Sequence, residues 1–358
     1  MLYSILKDEN RYYLNMHAEC ALHTYLNGFI EDERIKNTSR QKQGIYCRKI
    51  NADIFEHIYS YPYENKSICI DFKKIEEITE NNLVAFVTFI KKQFCAKGKN
   101  VYLLNVQKNI LEKMNWGDKF QILEETDCIV SGRIGRGKAT PQYDQLICEA
   151  EEAFREEFGR VVSECTDELN NTNEQHTSVP VYLSKYIDIK KMAESNAGFF
   201  RLCIYYLALQ MMDKNIIKQE CNQNKDISLF FHTMNGGYIA AQLAQLFNVD
   251  MVYLDHLGPL GSVHRKHFEK SIADDKNYII VSDVICLGGE VGRARTIIEY
   301  CGGRVGGETC VVDIKTVQNR EVDNRASLYT VSKTNNKIDY KIKTDLCAGC
   351  EMEGKCNE

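Results

Sequence analysis

Residues 278–290, YIIVSDVICLGGE, place an acid and a glycine-rich turn directly after a short apolar run. The apolar run predicts a buried strand, and the residues after the glycines predict a helix. A strand that ends in this way brings a carboxylate and several backbone N–H groups to one point. Backbone N–H groups at a helix N-terminus bind anions, so the pattern indicates a site for a sugar phosphate.

This stretch resembles the PRPP-binding motif of type I phosphoribosyltransferases, where PRPP is 5-phosphoribosyl 1-pyrophosphate. In that family two consecutive acids meet the ribose hydroxyls, and a Thr-Thr-Gly-Gly-Thr-like loop wraps the 5′-phosphate. Ser282 and Asp283 occupy the two acid positions here. The resemblance implies that Asp283 is the catalytic acceptor for a ribose hydroxyl or for magnesium. The loop positions are Cys286, Leu287, Gly288, Gly289 and Glu290.

Glu290 stands where the family has a hydroxyl that faces the phosphate. A carboxylate at this point would repel a phosphate dianion unless it points away or is neutralised. Arg293 and Arg295 follow in the predicted helix, and they either neutralise Glu290 or are solvated surface residues.

The neighbouring segments resemble orotate phosphoribosyltransferases in collinear order over residues 180–314. Ser184, Lys185 and Tyr186 match the hood segment that precedes the first long helix in that family. Residues 226–231 predict a strand, and residues 238–247 predict a helix. The turn between them matches the family's pyrophosphate turn, with the residues Thr233, Met234, Asn235, Gly236 and Gly237. The resemblance implies an α/β domain with a parallel sheet flanked by helices, which is Rossmann-like.

Transfer of a phosphoribosyl group passes through an oxocarbenium-like state as pyrophosphate leaves, so cations are needed near the pyrophosphate. The orotate enzymes supply them from a mobile loop. A basic cluster that includes Arg265 and Lys266 lies close to the matching point, and it is either the catalytic counterpart or a solvated loop. The resemblance implies PRPP or a nucleotide as ligand, Mg²⁺ as cofactor, a homodimer, and transfer of ribose 5-phosphate to a base. Because Ser282, Leu287 and Glu290 depart from the motif, the alternative is a catalytically degenerate ligand sensor, or an interaction module in a regulatory or defence assembly.

The C-terminal residues DLCAGCEMEGKC contain three cysteines, Cys347, Cys350 and Cys356, at a spacing suited to Zn²⁺ or to one side of an iron–sulfur cluster. A fourth ligand would come from elsewhere, for instance Cys310 or a histidine. Free terminal thiols are the alternative.

Residues 44–117 have a β-α-β rhythm and resemble a STAS domain, the small α/β fold of anti-sigma-factor antagonists. The family carries a phosphorylatable serine before its central helix, whereas residues 79–82 read Thr-Glu-Asn-Asn. The resemblance therefore implies an interaction or dimerisation module without a phospho-switch, and an unrelated small α/β domain is the alternative.

Residues 132–139, GRIGRGKA, spell a P-loop except that Ala139 replaces the magnesium-binding hydroxyl, so a basic linker is the preferred interpretation. The predicted organisation is a STAS-like domain over 1–131, a linker with a charged helix over 132–176, the phosphoribosyltransferase-like domain over 177–335 and a cysteine-containing tail over 336–358.

The chain has 358 residues and a formal net charge of −5, which gives no indication of nucleic-acid binding or of attachment to an anionic membrane. No apolar run approaches the length of a bilayer span, so the expected location is the cytoplasm. Most of the 15 cysteines are expected to be reduced and buried.

Overall fold

The computed structural model describes residues 3–16, 58–72, 75, 78, 80–135, 141–168, 182–218, 224–254, 272, 274–314, 324–331 and 342–343. The chain divides into two compact units, Met1–Glu157 and Phe158–Glu358. Among these residues, every helix is too short or too polar to cross a membrane.

The N-terminal unit contains a six-stranded mixed sheet. Its strands are β1 (Tyr3–Lys7), β2 (Arg11–Met16), β3 (Ser67–Asp71), β4 (Val101–Gln107), β5 (Phe120–Glu125) and β6 (Ile129–Ile134), in the order β1-β2-β3-β4-β6-β5. Strands β2, β3 and β4 are parallel, and the pairs at both edges are antiparallel. Helices α1 (Glu80–Gln93) and α2 (Lys108–Met114) follow β3 and β4. The predicted β-α-β rhythm is therefore confirmed, while the STAS-like assignment stays a prediction.

The ends of the helices in this unit fit the local sequence. Helix α1 begins at Glu80. An acid at the start of a helix is favourable because it faces the positive end of the helix dipole. A short 3-10 turn follows the helix, and Gly98 ends it with a φ of 71°. Asn115, with a φ of 48°, ends α2.

The P-loop-like run begins inside the sheet. Gly132 belongs to β6 and pairs with Leu103 of β4, so residues 132–134 are part of a strand and not of a linker. A Cβ atom at Gly132 would lie 2.2 Å from the ring of Phe120, which explains the glycine by packing between neighbouring strands. Residues 136–140 lie outside the described ranges.

Helix α3 (Tyr143–Glu164) contains the division between the two units. Its N-terminal half belongs to the first unit, where the carboxylate of Glu149 accepts hydrogen bonds from Arg11 and from the hydroxyl of Tyr13. In the second unit, Phe158 packs on Phe199 and on the ring of Tyr329. The compact units thus divide within α3, between Glu157 and Phe158, and the domain bounds predicted from the sequence stay a prediction.

The C-terminal unit is built on a parallel five-stranded sheet, as its sequence predicts. The strands are β10 (Ile227–Phe231), β11 (Asp250–Tyr253), β12 (Asn277–Ile285), β13 (Arg304–Ile314) and β14 (Arg325–Val331), in the order β11-β10-β12-β13-β14. All four pairs are parallel. Two small antiparallel ladders accompany them: β7 (Thr166–Glu168) with β9 (Lys185–Ile187), and β8 (Tyr182–Leu183) with β15 (Ile342–Lys343).

Four helices connect or cover these strands in the described part of this unit: α4 (Ile189–Ser195), α5 (Ala197–Asp213), α6 (Met234–Phe247) and α7 (Gly289–Tyr300). Side chains cap three of them, since Asp188 accepts from Lys191 N, Asn196 from Phe199 N and Thr233 from Gly236 N. Helix α5 contacts β13 and β14, α6 contacts β10, β11 and β12, and α7 contacts β12 and β13. The sheet is therefore covered by helices, and its core includes Phe230, Ile280 and Ile298.

A buried cluster of charges joins β13 and β14. The guanidinium of Arg325 donates to Glu308 from Nε at 2.9 Å and to Asp313 from one terminal nitrogen at 3.1 Å. Arg295 of α7 donates to the other oxygen of Glu308 at 2.9 Å. Glu308, Asp313 and Arg325 are all buried. Sequence analysis did not identify this cluster, because its members come together only when the two strands pair.

Candidate functional site

The order of the parallel strands places a crevice between β10 and β12. The chain goes from β10 to one side to form β11, and then to the other side to form β12, β13 and β14. In open α/β sheets, ligands bind outside the carboxyl ends of the strands at the point where this direction reverses. That point lies where β10 leads into residues 232–237 and β12 leads into residues 286–290.

The two predicted halves of the site meet at this crevice through Asn235 and Asp283. The side-chain amide of Asn235 donates to Oδ2 of Asp283 at 3.0 Å, although 48 residues separate them in sequence. Asn235 belongs to the predicted pyrophosphate turn, and Asp283 is the predicted ribose-binding acid. The structure thus brings these two segments together.

The hood residue Tyr186 is electrostatically coupled to the same acid. Burial raises the pKa of the Tyr186 hydroxyl, and the negative charges of Asp283 and Asp188 raise it further. Its neighbour Lys185 lies 3.6 Å from a carboxylate oxygen of Glu168, in the ladder between β7 and β9. Ser184 directly precedes β9 and is partly buried. Of the three hood residues, Tyr186 is therefore the one that the structure links to Asp283.

The predicted pyrophosphate turn is the beginning of helix α6. Thr233 is the N-cap, and the residues from Met234 onward are helical. The two glycines are explained by packing: a Cβ atom at Gly236 would lie 2.9 Å from the carbonyl oxygen of Val281, and one at Gly237 would lie 2.6 Å from the ring of Phe231. They permit α6 to start close against β10 and β12, so their first role is to position Asn235.

The predicted phosphate loop ends at the N-terminus of α7. Gly288 is the N-cap with a φ of 74°, a left-handed conformation that favours glycine, and no side chain makes a capping hydrogen bond there. Gly289 begins the helix. Since the first N–H groups of a helix lack partners within the helix, this end suits an anion.

Three other residues of the predicted motif are wholly or partly buried. Ser282 is buried within β12, and successive residues of a strand point to opposite faces, so its hydroxyl does not accompany the carboxylate of Asp283. Leu287 is partly buried. Burial raises the pKa of the Cys286 thiol to about 12, with a smaller contribution from the charge of Asp313.

We expect Cys286 to resist alkylation in the folded protein. With a pKa of about 12, roughly one thiol in ten thousand is ionised at pH 8, and the thiolate is the reactive form. Mass spectrometry after brief iodoacetamide treatment at pH 8 should show Cys286 labelled about a hundredfold more slowly than the exposed residues Cys128 and Cys148. Equal labelling of all three in denaturant is the control, and equal rates in the folded protein would contradict the expectation.

Glu290 is held by a partner that sequence analysis missed. Its carboxylate Oε2 lies 3.0 Å from Nε2 of His232, the residue that directly follows β10. Arg295, one of the two arginines considered for this role, bonds instead to Glu308 and lies 3.8 Å from Glu299. The signal for His232 was available in the sequence, since a histidine stands between a predicted strand and the pyrophosphate turn.

A cavity of about 310 Å³ adjoins the site on the side of Asn235. Residues from helices α4, α5 and α6 line it: Ile189, Lys190, Ala193, Glu194, Phe200, Met234, Asn235 and Tyr238. The rings of Phe200 and Tyr238 stack with centroids 5.5 Å apart, and Tyr238 is exposed. The cavity therefore combines an aromatic wall with a small number of polar groups.

Several predicted residues lie outside the described ranges, namely Arg265, Lys266, Cys347, Cys350 and Cys356. The catalytic cations and the Zn²⁺ or iron–sulfur site thus stay predictions. Within the part of the chain that the structure describes, no cluster of ligating side chains suits a metal. Cys310, considered as a fourth ligand for the tail, is fully buried in β13, and burial raises its pKa well above the ordinary value. It is a core residue.

Comparison with known proteins gives short or low-identity similarities to phosphoribosyltransferases. No family model matches the sequence. The adenine phosphoribosyltransferase of Corynebacterium diphtheriae is 34% identical over 61 residues, which are 17% of this chain and 33% of that protein. The match thus spans about one third of the curated relative.

Two solved structures illustrate the structural similarity. The adenine phosphoribosyltransferase of Thermoanaerobacter pseudethanolicus has 17% sequence identity and a TM-score of 0.36, over 48% of this chain and 98% of that one. The orotate phosphoribosyltransferase of Aeropyrum pernix has 15% identity and a TM-score of 0.34, over 48% and 93%.

Proposed function

We propose that the C-terminal unit binds PRPP or a nucleotide 5′-phosphate in the crevice between β10 and β12. The ribose hydroxyls are placed at Asp283, the 5′-phosphate at the N-terminus of α7, and the pyrophosphate at the start of α6. The hydrogen bond between Asn235 and Asp283 carries this proposal, because it joins the two segments that such a ligand must touch.

The electrostatics of the crevice agree with a ligand of this kind. The two helices that begin here, α6 and α7, have 14 and 12 residues, and each directs the positive end of its dipole toward the carboxyl edge of the sheet. Asp283 supplies the acceptor that ribose hydroxyls need, and it is half-buried, where a hydrogen bond to a charged group is worth more than in water. A phosphorylated sugar is thus matched by donors at one end and by an acceptor at the other.

Mg²⁺ suits the donor set of this site. Mg²⁺ is commonly bound through one or two carboxylates together with substrate phosphates, and it keeps several waters. Asn235 contacts Oδ2 of Asp283, which leaves Oδ1 for a magnesium-bound water or a ribose hydroxyl. When bound, the ion would neutralise charge on the pyrophosphate. The chain's own residues orient the sugar and fix the carboxylate.

An active enzyme would transfer ribose 5-phosphate from PRPP to a base, with release of pyrophosphate. The cavity beside Asn235 is the place for the acceptor, because the exposed ring of Tyr238, which stacks on the buried ring of Phe200, offers a flat apolar surface to a heterocycle. In this proposal Arg265 and Lys266 supply positive charge to the leaving pyrophosphate. The acceptor base is not specified.

The second candidate function is a ligand sensor that binds without turnover. The observation that favours it is Ser282, a buried residue that replaces one of the motif's two acids, so that only Asp283 presents a charge to the ribose. Loss of the second carboxylate weakens stabilisation of an oxocarbenium-like state more than it weakens binding of the ground state. The N-terminal unit would then be the part that engages a protein partner.

Two measurements on the full chain test these proposals. Calorimetric titration with PRPP in the presence of Mg²⁺ is expected to show saturable binding. Ribose, which lacks phosphates, should bind far more weakly. Pyrophosphate release with pooled purine and pyrimidine bases then separates the two functions. Release indicates a transferase, binding without release indicates a sensor, and no binding of any ribose phosphate would reject both.

The other parts of the sequence interpretation belong to the same proposal. A homodimer is implied by the family resemblance, and a STAS-like role is implied for the N-terminal unit. A cytoplasmic location was expected from the lengths of the apolar runs. Each stays a prediction.

A further inference from the structure

We infer that His232 is a positioning residue of the proposed phosphate site, which holds the carboxylate of Glu290 away from the N–H groups at the start of α7. Those groups then remain available to the ligand's phosphate. The inference rests on the proposed function and adds to it a residue that the family motif does not contain.

The contact is specific in its geometry. His232 directly follows β10, Glu290 is the second residue of α7, and Nε2 and Oε2 are 3.0 Å apart although 58 residues separate them. The imidazole is 8% exposed and the Glu290 side chain 24% exposed. A carboxylate can only accept here, so Nε2 carries the hydrogen and donates it. The contact fixes one carboxylate oxygen on the β10 side of the crevice.

The bond to Glu290 is the one hydrogen bond that the described residues give this ring. Nδ1 of His232 is buried and has no hydrogen-bond partner among the described residues. With the hydrogen on Nε2, a neutral ring has only a lone pair at Nδ1. Leaving a buried acceptor unpaired costs free energy. The ring keeps its contact with Glu290 in spite of this unfavourable free energy.

Without that contact, Glu290 would compete with the ligand. Gly288 has no side chain to cap α7, so the first N–H groups of the helix attract a nearby anion. A glutamate in the first turn can reach back to N–H groups at the start of its own helix. A carboxylate there would occupy the place proposed for the phosphate, and it would repel the dianion. His232 thus offsets the substitution of the family's hydroxyl by a carboxylate.

Four variants test the inference, with ribose 5-phosphate as the calorimetric probe and the full chain as the protein. His232→Ala is expected to weaken binding by about tenfold, because it removes the hydrogen bond that holds Oε2 of Glu290 on the β10 side of the crevice. His232→Gln keeps a donor near the position of Nε2 and should bind nearly as well as the wild type. Glu290→Thr should bind at least as tightly as the wild type, and His232→Ala/Glu290→Thr should restore binding to within about twofold of Glu290→Thr.

The outcomes distinguish this inference from the proposed function. If the wild type binds neither ribose 5-phosphate nor PRPP with Mg²⁺, the proposed site and this inference both fail. If it binds PRPP alone, PRPP with Mg²⁺ is the probe for the four variants. If the wild type binds and His232→Ala binds equally well, only the inference fails. Absence of rescue in the double variant would also overturn it, because a purely structural role for His232 predicts the same loss with either residue at position 290. If His232→Ala does not fold, weaker binding by Glu290→Thr than by the wild type would overturn the inference instead.

Discussion

Replacing Arg325 by alanine is expected to destabilise the C-terminal unit by about 3–5 kcal/mol, the usual cost of removing one partner from a buried ion pair. Arg325 is buried and bonds to both Glu308 and Asp313, which are buried as well. Without the guanidinium, Asp313 loses a close positive partner, and Arg295 is the one cation that remains bonded to Glu308 among the residues that the structure describes. The free energy of unfolding from urea denaturation would measure the loss.

A matched control for this experiment is Arg304→Ala. Arg304 also makes a charged hydrogen bond, at 2.6 Å to Asp275, but both side chains are largely exposed. Exposed ion pairs contribute about 0–1 kcal/mol, so this variant should remain close to the wild type. Similar losses in both variants would mean that the buried cluster does not stabilise the fold in the way described.

Replacing Asp283 by alanine is expected to weaken binding of PRPP with Mg²⁺ by roughly ten- to a hundredfold. Loss of a hydrogen bond to a charged group costs about 1.5–3 kcal/mol, which corresponds to that change in the dissociation constant. The variant removes the proposed acceptor for the ribose hydroxyls, and it also leaves the amide of Asn235 without its partner. Calorimetry on the folded variant would measure the effect.

Two control variants separate the effect of the Asp283 charge from the effect of its shape, and from the effect of losing any carboxylate on the protein. Asp283→Asn keeps an oxygen that can accept from Asn235 but removes the charge, and we expect it to lose most of the affinity as well. Asp250→Ala removes an exposed carboxylate at the opposite end of the sheet, where β11 begins and where Lys276 is its partner. Its binding should be unchanged. Wild-type affinity in Asp283→Asn would exclude a charged role for this residue.

The sequence was sufficient to predict the local structure of the C-terminal unit. The apolar run before Asp283 forms β12, because a strand buried on both faces needs continuous apolar residues. Gly288 marks the start of α7, because its left-handed conformation suits glycine. The parallel sheet was implied by the resemblance to phosphoribosyltransferases. These features depend on residues close together in the chain, so their pattern is visible without a structure.

The predicted start of a helix was less accurate where a side chain caps the first turn of that helix. Residues 234–237 were predicted as a turn, yet they are helical because Thr233 caps the N–H of Gly236. The glycines suggested an open phosphate-binding turn. Instead, their lack of side chains allows α6 to pack against Val281 and Phe231, a contact that depends on the distance between β10 and β12.

By itself, the sequence predicted the residues of the proposed site: one acid at the end of an apolar strand, a glycine-capped helix, and a second glycine-containing segment upstream. Only the tertiary structure decided their partners. Asn235 reaches Asp283 and His232 reaches Glu290 because β10 and β12 are neighbours in the sheet, and Arg325 reaches Glu308 because β13 and β14 are. These pairs are 17 to 58 residues apart in the chain. Local backbone preferences cannot specify such contacts, since they arise from the order in which the strands pack.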